Sequence, residues 1–234
     1  MSWLRWLRRR PEINQQDQQR LATAQSPLVL AEQPLSTQRF VVVDLEATGL
    51  HTGKDKILSI GAVAVEGSAI LMGEQFERTL KREQLKLNES VLIHQIAPSE
   101  LAGGIRPETA LLDFIEFVGD SPLVAFYADF DQRLLQREMR DLLGYAFKHH
   151  FFDLAEVAPL LNPEHGMRQP RMDDWVGFFK LNVMQRHNAC ADALATAELL
   201  LIFLKQAQAQ NILTLKQLDT ALNNWRRRQS SGGI

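Results

Sequence analysis

The sequence has little of two features that would narrow the class of protein at once, cysteine and long apolar runs. Its 234 residues include one cysteine, Cys190, so no disulfide can form within the chain and a reducing compartment is expected. No apolar run approaches the roughly 20 residues of a membrane-spanning helix. The first residues also lack the apolar core and cleavage site of a secretory signal. We therefore expect a cytoplasmic protein.

A strong net charge is also missing. The 26 Lys and Arg residues nearly balance the 28 Asp and Glu residues, giving a net charge of -2, which argues neither for nor against a nucleic-acid partner. Arginines are concentrated at the two ends, within residues 5–10 and 226–228. In the first ten residues they alternate with Trp and Leu, which predicts either weak contact with an anionic membrane surface or a partner, or simply a frayed terminus.

The distribution of proline, glutamine and apolar residues predicts three parts. Residues 1–36 are rich in Gln and contain three prolines, which is typical of a flexible, basic N-terminal extension. Residues 37–208 contain strand-like and helix-like apolar patterns and are expected to form the main domain. Residues 209–234 combine an amphipathic helix, with Leu and Trp at helical spacing, and a basic tail.

The order of these apolar patterns predicts the fold class. Strand-like segments at 40–43, 57–65 and 69–80 come first, and the short gap between the last two favours antiparallel pairing. Helical patterns then alternate with shorter apolar segments through the rest of the domain. This order predicts an α/β mixed sheet with three leading antiparallel strands flanked by helices.

Two carboxylates, Asp44 and Glu46, end the first predicted strand. Residues i and i+2 of a strand share one face, about 6–7 Å apart, so two like charges are expected side by side at the end of an apolar segment. Their repulsion and loss of hydration need a physical explanation. One interpretation is an exposed strand end with two solvated carboxylates, and the other is a functional site.

Two further acidic positions favour the functional interpretation. Asp129 and Asp131 both lie in the first turn of a predicted helix, where Asp is common, but apolar neighbours make Asp131 the better candidate. Asp192 shares a helix face with Ala195 and Leu199, the predicted buried face, without a local Lys or Arg to neutralise it.

Shared divalent cations would let such carboxylates converge. Oxygen ligands from Asp44, Glu46, Asp131 and Asp192 suit Mg²⁺ or Mn²⁺ better than zinc. Paired ions at acidic sites hydrolyse phosphodiesters. His187 lies five residues before Asp192, a spacing unsuited to joint ligation on a helix, so its imidazole is predicted to act as a general base.

Three segments, DLEATGL, VAFYADFDQRLL and HNACADALATAEL, resemble in order and spacing the motifs of the DEDDh 3′–5′ exonucleases, and especially the proofreading epsilon subunits of bacterial DNA polymerase III. The resemblance implies a ribonuclease-H-like fold, two Mg²⁺ or Mn²⁺ ions and release of nucleoside 5′-monophosphates. Asp44, Glu46, Asp131 and Asp192 match the four metal ligands of this family, and His187 matches its general base.

Three more positions match nucleotide contacts in the family. Thr48 follows Glu46 by two residues, and Glu89 and His94 lie in a shorter matching segment, NESVLIHQIAP. An ordinary capping or core role for His94 stays open. The implied substrate is DNA with a single-stranded or frayed 3′ end, and a DNA polymerase subunit is an implied partner.

One departure keeps alternatives open. The family usually has His-Asn before the second motif's aspartate, and this chain has Phe126 and Tyr127 there. An exonuclease that trims RNA or degrades oligonucleotides is one alternative, and a catalytically silent module that binds a polymerase or a 3′ end is another. A tyrosine-base site using Tyr127 is rejected because it would leave His187 and Asp192 without roles.

Overall fold

The computed structural model describes residues 13–82, 96–166, 170–183 and 188–231, and these form one five-stranded mixed sheet with helices on both faces. In chain order the strands are β1 (Arg39–Ala47), β2 (Ile57–Glu66), β3 (Ala69–Thr79), β4 (Leu123–Ala125) and β5 (Phe151–Asp153). Their order across the sheet is β3-β2-β1-β4-β5. The first three strands pair antiparallel, whereas β4 pairs parallel to both β1 and β5. The predicted mixed sheet with three leading antiparallel strands is confirmed.

The described residues include eight α-helices. In chain order these are α1 (Gln15–Thr23), α2 (Pro98–Gly103), α3 (Pro107–Val118), α4 (Ala128–Leu143), α5 (Leu154–Leu161), α6 (Met172–Phe178), α7 (Ala189–Ala209) and α8 (Leu215–Ser231). Short 3₁₀ turns occur at Leu35–Thr37 and Pro163–His165. No helix among these residues has the length and hydropathy required to cross a bilayer.

Alternation along β1 divides the apolar core into two layers. Phe40 and Val42 lie on the face covered by α5 and α7, whereas Val41 and Val43 lie on the face covered by α3 and α4. Successive side chains of a strand point to opposite faces, so a strand buried on both sides reads as a continuous apolar run. The apolar start of β1 therefore reflects its position at the centre of the sheet.

The segment before β1 contacts the domain at several points. Helix α1 packs on α3, where Arg20 bonds to Asp113 at 2.7 Å and Glu116 at 2.6 Å. Farther along, Leu35 is fully buried, and its backbone N–H donates to the Leu213 carbonyl at 2.8 Å. The predicted extension over residues 1–36 is thus helical and packed in part of its described portion. Glutamine and proline content concealed these contacts because they depend on partners distant in the sequence.

Helix α8 packs on the face of the sheet that also buries Leu35. Leu215, Leu218 and Leu222 are buried in the core layer that contains α5 and α7. At the outer side of this helix the Arg226 Nε donates to Glu156 of α5 at 2.9 Å. The predicted amphipathic helix is present, and its apolar side packs against the main domain.

Replacing Leu35 by Ala tests whether the segment before β1 belongs to the folded unit. Loss of a fully buried leucine side chain should lower the free energy of unfolding by about 3 kcal/mol, from lost burial and a residual cavity. Urea unfolding followed by circular dichroism measures this. Val29→Ala is the control, since Val29 is 81% exposed and its truncation should change stability by less than about 0.5 kcal/mol. Equal stability of both variants would contradict a packed segment.

Candidate metal centre

Asp44 and Glu46 lie on β1 beyond the point where β4 stops pairing with it. The β1–β4 ladder includes only Val41 and Val42 of β1, so the following residues of β1 border the open end of the sheet. Strand alternation puts Asp44 and Glu46 on the same face as Val42, which is the face covered by α7. The apolar half of β1 is thus buried between its neighbouring strands, and its acidic half continues beyond the end of β4.

Gly61 of β2 allows α7 to approach this face closely. Gly61 pairs with Asp44 in the antiparallel ladder, so both residues share the α7 side of the sheet. A Cβ atom at Gly61 would lie only 2.1 Å from the Ala189 carbonyl carbon and 2.2 Å from the Cys190 nitrogen. No side chain fits at those distances, so the absence of one at Gly61 lets the first turn of α7 rest against the sheet beside Asp44.

The first turn of α7 carries Asp192 into this site. The helix begins at Asn188, whose side-chain Oδ1 accepts the Ala191 N–H at 3.0 Å, a standard N-cap. Asp192 follows within the first turn and is 6% exposed. Ala195 and Leu199 are buried on the same helix face, which confirms the predicted burial of this carboxylate.

Three carboxylates converge as a result. One ligand oxygen from each of Asp44, Glu46 and Asp192 lies within 4.8 Å of the others. Glu46 and Asp192 are buried and Asp44 is partly buried, so their charges repel in an environment that water screens poorly. A divalent cation is the natural counter-charge. The all-oxygen donor set fits a hard cation such as Mg²⁺, Mn²⁺ or Ca²⁺, not a thiolate- or imidazole-bound metal.

Asp131 lies next to this cluster on α4. The side chain is 5% exposed and takes a backbone hydrogen bond from Leu45, which occupies the edge of β1 that β4 leaves unpaired. Burial, followed by the negative charges of Asp153 and Glu46, raises the pKa of Asp131 well above its ordinary value. Its neighbour Asp129 instead points outward and pairs with Arg133 at 2.8 Å. The preference for Asp131 over Asp129 as a site residue is consistent with this arrangement.

Asp153, which the sequence analysis did not select, connects two helix starts at the same edge. Its Oδ1 accepts the N–H of Tyr127 and the N–H of Ala155, each at 2.9 Å. Burial raises the pKa of Asp153 to about 6. The signal in the sequence was an aspartate at the end of a short strand, as for Asp44, and directly before a predicted helix.

Tyr127, one of the two departures from the family pattern, has an unusual backbone conformation. Its φ of 63° lies in the left-handed region, which asparagine tolerates better than tyrosine. The backbone N–H is held by Asp153, and the phenol donates to the Pro170 carbonyl at 3.2 Å. These two hydrogen bonds fix a bulky aromatic ring where the family usually has a small amide side chain.

The family model described as RNase_T, an exonuclease, matches residues 41–200. The chain belongs to this exonuclease family. The matched residues include most of β1, the first turn of α4 and the start of α7, which are the elements that hold the carboxylates. The predicted family and enzyme class are therefore confirmed.

This exonuclease is similar to two curated relatives and, in fold, to one solved structure. DNA polymerase III PolC-type from Halalkalibacterium halodurans is 32% identical over 80% of this chain and 13% of that protein, and the Bacillus subtilis protein of the same name is 31% identical over 78% and 12%. The chain thus spans about one eighth of these relatives. E. coli exonuclease I bound to a dA16 oligonucleotide has the same fold, with a TM-score of 0.65 and 17% identity over 79% of this chain and 43% of that one.

A hydrogen-bonded loop follows the β1 carboxylates of the exonuclease. The Thr48 hydroxyl donates to Asp55 at 3.1 Å and accepts the Lys56 N–H at 3.0 Å, while Asp55 also accepts the His51 N–H at 2.7 Å. Thr48 is 7% exposed. These bonds hold the residue two positions beyond Glu46 in one orientation. Its contact with a nucleotide stays a prediction.

Three predicted site residues of the exonuclease, His187, Glu89 and His94, lie outside the described residues. Their roles as general base and nucleotide contacts therefore stay predictions. The described neighbour of His187 is Asn188, the N-cap of α7, so His187 directly precedes the helix that carries Asp192.

Gly61→Ala should disrupt the metal centre without direct removal of a ligand. The added methyl group must displace the first turn of α7, and with it Asp192, so Mn²⁺ affinity should fall by at least about tenfold, the scale seen when residues that orient ligands are changed. Isothermal titration calorimetry measures the affinity. Gly73→Ala is the matched control on β3, because nothing lies within 4 Å of its added Cβ. Equal affinity in the two variants would contradict the role of the close approach.

Asp153→Asn should alter the pH dependence of stability. The folded pKa of about 6 exceeds the ordinary 3.8, so folded protein binds this proton more tightly and loses stability as pH rises from about 4 to about 6. Asn keeps an acceptor oxygen for Tyr127 and Ala155 but does not ionise. Urea unfolding with EDTA should therefore show wild type losing stability relative to Asp153→Asn across this range. A difference that does not change with pH would contradict the assignment.

Proposed function

We propose that this exonuclease removes nucleotides from the 3′ end of single-stranded or frayed DNA and releases nucleoside 5′-monophosphates. The observation that carries this proposal is the meeting of Asp44, Glu46 and Asp192 at one edge of the sheet in a chain of the exonuclease family. Such a cluster has the chemistry needed to act on a phosphodiester.

Four carboxylates are suited to hold the metal in this proposal: Asp44, Glu46, Asp131 and Asp192. Two Mg²⁺ or Mn²⁺ ions, when bound, would neutralise the phosphodiester and supply Lewis-acid stabilisation to the attacking and leaving oxygens. Asp131 fits the set because burial, followed by the negative charges of Asp153 and Glu46, raises its pKa, and a bound cation would offset both effects.

The remaining predicted residues would move the proton and hold the substrate. His187 would accept a proton from the attacking water, since an imidazole titrates close to physiological pH. Thr48, Glu89 and His94 would contact the terminal nucleotide. The hydrogen bonds of the Thr48 hydroxyl to Asp55 and Lys56 support a preset orientation for the first of these contacts.

DNA is the favoured substrate class for two reasons. The relatives at about 30% identity are DNA polymerases, and the solved structure with the same fold contains a DNA oligonucleotide. RNA is the alternative, because the same hydrolytic attack can serve either sugar. Association with a DNA polymerase, a cytoplasmic location and weak membrane contact through residues 1–10 remain further predictions. The last concerns a segment outside the described residues.

Digestion of matched DNA and RNA oligonucleotides tests the proposal. With Mg²⁺ or Mn²⁺, the protein should shorten a 5′-labelled DNA strand into a ladder, and EDTA should stop it. Asp44→Ala and His187→Ala should each lower the rate by at least about a hundredfold, the scale expected for loss of acid–base or metal chemistry. Gel electrophoresis of quenched time points gives these rates.

Asp129→Ala is the matched control, because Asp129 lies on the same helix turn as Asp131 but pairs outward with Arg133. Its digestion rate should equal that of wild type. An unchanged ladder in Asp44→Ala would refute the assignment of the site. Faster digestion of RNA would refute the DNA preference, and 3′-end binding without any digestion would identify a silent module.

A further inference from the structure

A large cavity lies between α5, α6 and α8. Its volume is about 950 Å³, and its lining residues include Tyr127, Asp153, Trp175 and Trp225. This volume exceeds that of one nucleotide and falls in the range of small-molecule and cofactor sites. Trp225 lies on α8, outside the residues 41–200 that match the exonuclease family, so α8 adds one wall to a cavity lined mainly by the family domain.

The cavity adjoins the proposed reaction site through two residues. Asp153 forms part of its wall, and the Asp153 carboxylate accepts the N–H of Tyr127 at the start of α4, the helix that carries Asp131. Tyr127 forms part of the same wall and lies four residues before Asp131, at the start of α4. A strand whose 3′ end lay at the carboxylates would therefore meet this cavity close to its terminus.

Two partly exposed aromatic rings, Tyr127 and Trp225, contribute to the lining of the cavity. Tyr127 is 49% exposed, and its hydrogen bonds to Asp153 and Pro170 hold its position. Trp225 of α8 provides a second, partly exposed ring. Rings that are fixed and accessible stack on nucleobases regardless of base identity, because every base presents a π face.

The buried indole of Trp175 forms part of the cavity wall. Trp175 is 1% exposed, and its Nε1 has no hydrogen-bond partner among the described residues. Buried indole N–H groups usually find an acceptor.

Charges around the cavity fit a base inside and phosphates at the rim. Glu156 of the wall is paired with Arg226, and the Asp153 carboxylate accepts two backbone N–H groups, so both acids are compensated by donors. Arg228 is exposed on α8, one helical turn after Trp225, and is available to a phosphate. Aromatic rings together with an exposed arginine favour a nucleic acid over a protein segment as the occupant of this cavity.

We propose that the cavity lined by Tyr127 and Trp225 is a subsite for an unpaired base upstream of the 3′-terminal nucleotide, with Arg228 of α8 contacting an adjoining phosphate. This subsite rests on the proposed exonuclease function. It makes α8 part of the substrate-binding surface and adds affinity for strands long enough to reach it.

Substrate-length dependence tests the subsite. The comparison uses kcat/KM for the p-nitrophenyl ester of thymidine 5′-monophosphate and for DNA strands of about 2 to 12 nucleotides, a range covering typical single-strand site sizes. Trp225→Leu should lower the ratio of long-strand to ester kcat/KM about tenfold, the loss of one base–aromatic stack. Trp225→Phe keeps an aromatic ring and should largely restore the ratio. Met72→Leu, at an exposed residue of β3, should leave it unchanged.

A second measurement does not depend on turnover. A DNA strand with 5-iodouracil at a single upstream position, irradiated on wild-type protein in EDTA, should crosslink to Trp225 or Tyr127, as located by mass spectrometry. Crosslinks confined to other residues would overturn the subsite. This result also holds if a Trp225 variant fails to fold.

The outcomes separate the two proposals. Wild-type protein that hydrolyses neither the ester nor any strand would refute the exonuclease function itself. Wild-type protein that hydrolyses both, with the same length dependence in Trp225→Leu, would refute only the subsite and would favour a protein occupant for the cavity.

Discussion

The close approach of α7 to the sheet at Gly61 is the constraint on which the candidate metal centre depends. Asp44 and Glu46 come from a strand and Asp192 from a helix, and their oxygens meet only if that helix starts almost in contact with the strand backbone. A side chain at residue 61 would occupy the space of the helix backbone. One missing Cβ therefore brings together carboxylates that are about 150 residues apart in the sequence.

The short length of β4 is the second structural condition. Because β4 pairs with only two residues of β1, the next backbone groups of β1 are left at an open edge. The Asp131 carboxylate accepts a backbone hydrogen bond from Leu45 of this strand. The Asp153 carboxylate accepts the Tyr127 and Ala155 N–H groups at the starts of α4 and α5. Truncation of the parallel ladder thus creates the place where buried acids can gather. Burial is the main reason that the pKa values of Asp131 and Asp153 are raised there.

Sequence patterns predicted the parts of this molecule that depend on local order. Alternation gave the shared face of Asp44 and Glu46, and helical spacing gave the burial of Asp192 beside Leu199. Gly61 and Asp153 could not be selected in the same way, since their importance arises from contacts with α7 and α4. The packing of Leu35 was hidden for a related reason: its neighbours lie near residue 213, and glutamine-rich sequence around it suggested a linker.

Helix α8 shows how a segment beyond the matched family domain can become part of its surface. Its leucines enter the same core layer as α7, so the position of Trp225 is fixed relative to the helix that carries Asp192. The Arg226 bond to Glu156 adds a polar attachment at the cavity rim. A rigid aromatic ring supported in this way loses little conformational entropy when a ligand stacks on it. Core packing at one end of α8 therefore preorganises a binding surface at the other.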